Sequence, residues 1–187
     1  SGSTDYTVNT LAAADEGVIL TDTVPITFLG YGSGDTITLD GTDDLTVNGT
    51  EADDASTVIA ATGGTDRGNV TIAGRATIDP KNLTDLTLGG FAGDDTFSIA
   101  AGHAFTTIAL QGGSPDASDV AVLTGAGTAV SVTLADPSVT PVAPSTVVGG
   151  GLGTVSLSGI EDVDLNALGG DVSVNGTAAD DDLAYQP

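Results

Sequence analysis

The chain has 187 residues, of which 26 are acidic and only three are basic, so its formal net charge is −23. A charge of this size repels phosphate backbones and anionic lipids, which argues against nucleic-acid binding and against attachment to a membrane surface. Cysteine is absent, which excludes disulfides and thiolate metal sites. Because 40% of the residues are apolar, the chain can nevertheless bury a core.

Short alternations of apolar and polar residues predict β-strands along most of the chain. The best helix candidate is the segment 9–18, with at most one or two turns. Strands are predicted, in chain order, at 36–39, 45–49, 69–74, 86–90, 97–100, 130–135, 154–159, 163–167 and 172–176. The segment 134–154 holds three of the seven prolines and is predicted as an irregular loop excursion. We therefore expect residues 1–187 to form a single all-β module.

One motif occurs three times, as LTVNGTEADD from residue 45, LTLGGFAGDD from residue 86 and VSVNGTAADD from residue 172. Short strands with a recurring Gly/Asp corner favour a parallel β-solenoid, or β-helix, with coils of roughly 20 residues. Antiparallel β-sandwich modules are the alternative. Because the pattern is interrupted at both ends of the sequence, we expect the chain to be a piece of a longer array.

Each copy of the motif ends in a pair of aspartates, and in a solenoid these pairs would lie along one edge. The candidate metal ligands are Asp53, Asp54, Asp94, Asp95, Asp180 and Asp181. Carboxylate oxygens are the ligands that Ca²⁺ prefers, so calcium is the candidate ion. The alternative is that each aspartate caps a turn by accepting bonds from nearby backbone N–H groups.

A catalytic alternative comes from Asp94, Asp95 and His103, which resemble the GDD and GH elements of β-helix polygalacturonases. Two carboxylates can act as acid and base in glycoside hydrolysis. However, the Asn-Thr-Asp and Arg-Ile-Lys elements of that family are absent, and the negative charge of this chain would repel an anionic polymer. We therefore predict no enzymatic activity, keep a β-helix glycoside hydrolase as the weakest alternative, and expect His103 to be a surface residue.

The phrases VNGTxxDD, GDDTFSI and SGIEDVDLNALGGDVSVNG resemble the degenerate repeats of very large secreted bacterial proteins. These include RTX-like and haemagglutinin-like adhesins and the giant surface proteins of planctomycete-type bacteria. The segment GGFAGDDTF departs from the Gly and Asp spacing of the RTX nonapeptide, so a complete calcium-binding roll is not expected. The resemblance implies an extracellular structural or adhesive role, commonly on a β-solenoid.

The function expected from the sequence is that of an acidic structural or adhesive repeat module in a secreted or cell-surface bacterial protein, such as an adhesin, an S-layer-like protein or a filament. Its expected partners are neighbouring modules or subunits of the same protein, and a cell-surface glycan is a further candidate. A calcium-dependent module that binds carbohydrate or another partner is the alternative. Membrane insertion is not expected, because the sequence has no apolar stretch of 18 residues.

Overall fold

The computed structural model describes residues 5–21, 24–60, 67–114, 118–136, 138 and 140–178, and these residues form strands and connections without a helix. The strands are β1 (Tyr6–Thr10), β2 (Glu16–Leu20), β3 (Pro25–Leu29), β4 (Thr36–Asp40), β5 (Asp44–Asn48), β6 (Ala55–Val58), β7 (Val70–Ile72), β8 (Thr77–Lys81), β9 (Asp85–Ala92), β10 (Thr96–Ala100), β11 (Thr107–Ser114), β12 (Val120–Thr124), β13 (Val130–Thr133), β14 (Ser145–Gly149), β15 (Thr154–Ser158), β16 (Asp162–Asn166) and β17 (Val172–Asn175). In this part of the chain no helix is long and apolar enough to cross a membrane. The prediction of an all-β protein is confirmed.

The strands form two mixed sheets. The first has ten strands in the order β17-β13-β14-β15-β11-β9-β5-β1-β2-β3, and the second has seven in the order β16-β12-β10-β6-β7-β8-β4. All nine predicted strands are present, and each predicted end lies within two residues of the observed end. The sequence did not predict the remaining eight strands.

Within each sheet, the central strands pair in parallel. In the first sheet β5, β9, β11 and β15 are parallel neighbours, and in the second sheet β6, β10, β12 and β16 are. Each of these first-sheet strands is followed in the chain by a second-sheet strand. We call such a pair a layer, and we call the connection between its two strands, together with the last few residues of the first strand, a corner. The first two copies of the sequence motif, β5 and β9 with their corners, lie in adjacent layers and pair in direct register.

Antiparallel hairpins interrupt the parallel stack, which the sequence analysis did not expect. They consist of β1-β2-β3, β6-β7-β8 and β13-β14-β15. The predicted helix at 9–18 is wrong, because its residues belong to the hairpin of β1 and β2. The segment 134–154 is not irregular throughout, because it contains β14. The sequence separation between equivalent corner residues of adjacent layers can be compared with the expected coil length of roughly 20 residues. It is 24 residues from the second layer to the third, which is close to that length, but 41 and 42 residues for the other two steps.

Alternating side chains of the two sheets meet in a core of columns that run through the layers. Leu45, Leu86, Ile108 and Val155 form one buried column in the first sheet. In the second sheet Phe97 is flanked by its register partners Ser56 and Ala121, so the large ring lies between two small side chains. The intervening residues face outwards and are mostly half-buried threonine and serine. This alternation gives the strands their inward and outward faces.

Candidate functional site at the acidic corners

The structure brings four of the six predicted metal ligands together. Asp53 and Asp54 form the corner of the first layer, and Asp94 and Asp95 form the corner of the second. The backbone N–H of Asp94 donates to Oδ1 of Asp53 at 3.0 Å, and the backbone N–H of Asp54 donates to Oδ1 of Asp95 at 2.8 Å. Asp180 and Asp181 lie outside the described residues.

The row of carboxylates continues through two residues that the sequence analysis missed. The backbone N–H of Asp95 donates to Oδ1 of Asp119 at 2.8 Å, and that of Asp119 donates to Oε2 of Glu161 at 2.9 Å. We call Asp54, Asp95, Asp119 and Glu161 the carboxylate ladder. A sequence signal was available, since each of the four acidic residues directly precedes a residue at the start of a second-sheet strand.

The carboxylate ladder fixes the register between layers at the corners. There a side-chain oxygen takes the place of the carbonyl that would accept the N–H within a regular strand. The main-chain carbonyls of the same residues continue the pairing, since Thr96 N–H donates to Asp54 O at 2.9 Å and Val120 N–H donates to Asp95 O at 2.8 Å. Because a buried backbone donor without an acceptor is costly, each carboxylate satisfies a need created by the turn. These bonds join residues of adjacent layers that are 24 to 42 positions apart in sequence, whereas the turn-capping alternative predicted bonds to nearby backbone N–H groups.

Glycines make room for the carboxylates. A Cβ atom on Gly90 would lie 2.0 Å from Oδ2 of Asp95 and 2.6 Å from the carbonyl oxygen of Gly112. A Cβ atom on Gly112 would lie 2.2 Å from Oδ2 of Asp119. At Gly49 the corresponding distance, to Oδ2 of Asp54, is 2.6 Å. The recurring glycine of the motif is thus required because the carboxylate five residues later packs against its backbone, and in the longer third corner the carboxylate seven residues later does so.

Burial has consequences for the ionisation of Asp95, which is only 1% exposed. Loss of hydration, and after it the charges of Asp119, Asp54 and Asp53, raise the pKa of its carboxyl to about 6. The hydrogen bond from the Asp54 backbone N–H acts in the opposite direction and lowers it. Asp95 is therefore expected to change its charge in mildly acidic solution, where an ordinary aspartate stays ionised.

The first two corners differ in how the second carboxylate oxygen is satisfied. In the first, Oδ2 of Asp54 accepts bonds from the backbone N–H of Thr50 at 2.6 Å and from its hydroxyl at 2.9 Å. In the second, Phe91 occupies the position of Thr50 and has a positive φ of 77°. Oδ2 of Asp95 has no hydrogen-bond partner among the described residues. Replacement of one threonine therefore leaves a buried carboxylate oxygen unsatisfied.

The structure separates His103 from the Asp94 and Asp95 pair. The aspartates precede β10 and the histidine follows it, so five strand residues at about 3.3 Å each place them at opposite ends, roughly 16 Å apart. The expectation that His103 lies on the surface is wrong. Its ring is 9% exposed and packs against Phe105 at 5.8 Å, and burial lowers its pKa. An aspartate pair assisted by this histidine is therefore not formed.

No group of three or more histidine, aspartate or glutamate side chains lies within metal-binding reach of one another in the described ranges. The ladder instead spaces its carboxylates one per layer, about 4.8 Å apart, and directs one oxygen of each at a backbone N–H.

Comparison of the chain with protein-family models, with curated proteins and with solved structures finds no significant match.

Proposed function

We propose that the chain is an extracellular structural or adhesive repeat module of a bacterial surface or secreted protein, which stacks end to end with modules of the same kind. We further propose that its architecture is a parallel β-solenoid interrupted by hairpins, and that it has no enzymatic activity. The support for the solenoid is the direct parallel register of four consecutive layers, with columns of like residues running through them.

The observation that carries the stacking proposal is that core columns continue onto open faces at the ends of the sheets. Val172 of β17 is in register with Val130 of β13 and therefore faces the same side of the sheet. Val130 is 2% exposed, whereas Val172 is 50% exposed and Val174 is 45% exposed. The side chains of the last strand thus have core orientation without core burial, and another strand of the same kind would bury them.

The opposite end of the first sheet has the same property. Ile26 of the edge strand β3 is in register with Ile19 of β2. Ile19 is 6% exposed, but Ile26 is 52% exposed and Leu29 at the end of the same strand is 64% exposed. Edge strands with apolar side chains and free backbone groups readily pair with further strands. Both ends therefore offer the surfaces that an end-to-end array requires.

Self-association measured by analytical ultracentrifugation over a range of protein concentrations tests this proposal. The solution should contain about 0.5 M NaCl, because the net charge of −23 opposes contact between copies and this salt screens it. The wild-type chain is expected to form dimers and longer assemblies at high concentration. The double variant Val172→Asp, Val174→Asp is expected to remain monomeric, because it places charges on the face to be buried.

The matched control is the double variant Val142→Asp, Val148→Asp, which adds the same charge at two equally exposed valines away from the end strand. It is expected to associate like the wild type. A wild-type chain that stays monomeric at every concentration, or association that survives in the Val172 and Val174 variant, would contradict end-to-end stacking.

A calcium-dependent module that binds carbohydrate or another partner is the second candidate. The observation that favours it is the buried Asp95, whose Oδ2 has no hydrogen-bond partner among the described residues. A bound cation would supply the missing interaction and lower the pKa of this carboxyl. Under this candidate, millimolar Ca²⁺ raises the melting temperature, a chelator reverses the rise and Asp95→Asn abolishes it. An unchanged melting temperature would dismiss it.

A further inference from the structure

Phe91 is the residue of the repeat that the fold does not explain. It corresponds to Thr50 in the first copy of the motif and to Thr177 in the third. Its ring is 46% exposed and its backbone has a φ of 77°, in the left-handed region that bulky residues rarely adopt. Since threonine serves at this corner elsewhere, neither the turn nor the core requires a phenylalanine. A strained residue without a packing role points to a function.

The neighbourhood of Phe91 forms two adjoining grooves, and this residue is the one that lines both. The smaller groove has a volume of about 200 Å³ and is bounded by Asn48, Gly89, Gln111, Gly113 and Ser114 together with Phe91. The larger groove, about 750 Å³, continues on the other side over Thr50, Glu51 and Asp53. An exposed ring thus separates two concave surfaces on the same side of the stack.

The chemistry of the smaller groove selects the kind of ligand. Its lining offers the side-chain amides of Asn48 and Gln111, one hydroxyl and the bare backbone of two glycines, and it contains no charged side chain. Nδ2 of Asn48 also donates to Oδ1 of Asn9 at 2.8 Å, so this amide offers a ligand its oxygen and its second N–H. Amides and hydroxyls both donate and accept hydrogen bonds, which suits a ligand with several hydroxyl groups. The aromatic ring adds a flat apolar surface, on which the C–H face of a sugar ring packs.

The charge of the chain and the uncharged lining of this groove disfavour charged ligands. An anionic polymer is repelled by the net charge of −23. A cation would be attracted by the protein as a whole, but the smaller groove has no carboxylate to bind it. The larger groove is lined by one cationic side chain, that of Arg75, which could attract an anion. However, its Nη1 already donates to the carbonyl oxygen of Ala13 at 3.0 Å.

We propose that Phe91 and the two grooves beside it bind a neutral oligosaccharide, with one sugar ring packed on the phenylalanine. Asn48 and Gln111 bond hydroxyls of the sugar in the smaller groove. The carboxylates of Glu51 and Asp53 accept hydroxyls of the next sugar in the larger groove. This site is independent of end-to-end stacking, because its residues lie on the corners and not on the end strands.

The test is a titration of the ¹⁵N-labelled chain with neutral tetrasaccharides of glucose, mannose, galactose and N-acetylglucosamine, followed by the backbone amide shifts. At least one of them is expected to shift the amides of Phe91, Gln111 and Gly113, with a dissociation constant on the order of 1 mM. Phe91→Thr is expected to weaken this binding at least tenfold. This variant carries the residue found in the other copies and should therefore fold.

The matched control is Tyr31→Thr, which removes an equally exposed aromatic ring, 45% against 46%, outside both grooves. It is expected to leave the dissociation constant unchanged. Gln111→Ala is expected to weaken binding several-fold without removing the ring. The proposal is overturned if no neutral tetrasaccharide shifts these amides or if binding survives in Phe91→Thr. The oligomeric state of the chain has no bearing on any of these results.

Discussion

The first two corners of the stack have the same framework and differ in one decisive residue. Both have a glycine, a carboxylate that caps a backbone N–H and a strand that follows at once. In the first corner Thr50 satisfies Asp54 with two hydrogen bonds. In the second, Phe91 leaves Oδ2 of Asp95 without a partner among the described residues and has a positive φ. The first corner thus satisfies both oxygens of its carboxylate, whereas the stack also forms with an unsatisfied carboxylate oxygen in the second.

This difference indicates that the repeat serves more than stacking. A corner selected for stability alone would keep the threonine, because a left-handed phenylalanine and an unsatisfied buried carboxylate both cost free energy. The second corner keeps both defects and exposes an aromatic ring beside two grooves. The predictions below compare the two corners, beginning with the largest expected effect.

Alanine substitution of the corner glycines should separate the two corners most clearly. Gly90→Ala is expected to lower the free energy of unfolding by about 3 kcal/mol, because the new methyl group meets both the buried carboxylate and a backbone oxygen. In Gly49→Ala the new methyl group meets a half-buried carboxylate at 2.6 Å but the nearest backbone oxygen only at 3.3 Å, so this variant should cost about 1 kcal/mol. Urea unfolding of both variants measures the difference. Equal losses would show that the two corners are packed alike.

Conversion of the second corner to the first should stabilise the protein. Phe91→Thr is expected to raise the free energy of unfolding by about 1 to 2 kcal/mol, because we expect the backbone of the variant to take the conformation of Thr50, whose φ is not positive, and the new hydroxyl to bond Asp95. The reverse exchange, Thr50→Phe, should destabilise by a similar amount. Thermal unfolding of both variants measures the effect. A less stable Phe91→Thr would mean that the ring contributes packing that the exposed surface does not reveal.

The charge of Asp95 should make stability depend on pH. Its pKa in the folded protein, about 6, is above the ordinary value of 3.8, so the folded state retains the proton more strongly. Stability from this group is therefore present below about pH 4 and is lost as the pH rises to about 6. Asp95→Asn should escape this loss and be more stable than the wild type at pH 7.5 by about 1 kcal/mol, after allowance for solvent screening. A stability difference between variant and wild type that is the same at pH 4 and pH 7.5 would contradict the assignment.

Removal of the hydroxyl in the first corner should have the smallest effect. Thr50→Val keeps the backbone N–H bond to Asp54 and loses the bonds of the hydroxyl, which are the 2.9 Å bond to Oδ2 of Asp54 and two longer ones, of 3.3 and 3.5 Å, with the backbone N–H and carbonyl of Ala52. The expected cost is about 0.5 to 1 kcal/mol. Chemical denaturation checks this value, and Thr46→Val on the outer face of β5 serves as a control for the loss of a threonine hydroxyl. A loss above about 2 kcal/mol would show that the hydroxyl has a further role.

The sequence predicted five of the eight strands of the parallel stack and its first two corners, because alternation and the repeated glycine and aspartate are local signals. It missed β6, β11 and β12 of the stack. It also missed β1, β2, β3, β8 and β14 of the hairpins, whose pairing depends on which neighbours the chain meets after each layer. It also missed Asp119 and Glu161. The third corner is longer than the motif, and the fourth uses glutamate in place of aspartate.

Other features depend on three-dimensional context that no motif records. A single histidine outside any periodic pattern gave no indication of the burial of His103. The left-handed conformation of Phe91 likewise results from the corner around it and not from its own preference. Alignment of the three copies shows phenylalanine at position 91 where the other two have threonine. The consequence of this difference, an unsatisfied oxygen of the buried Asp95, is visible only in the structure.

The most direct test of the stacked corners is the titration of the Asp95 carboxyl carbon, followed by ¹³C NMR. A carboxyl that is enclosed between layers and close to three other aspartates should titrate with a pKa of about 6. In Phe91→Thr, where a hydroxyl can bond the ionised form, the midpoint should move to lower pH. A midpoint at the ordinary value of 3.8 in the wild type would show that Asp95 is in water, and would contradict the carboxylate ladder on which this account depends.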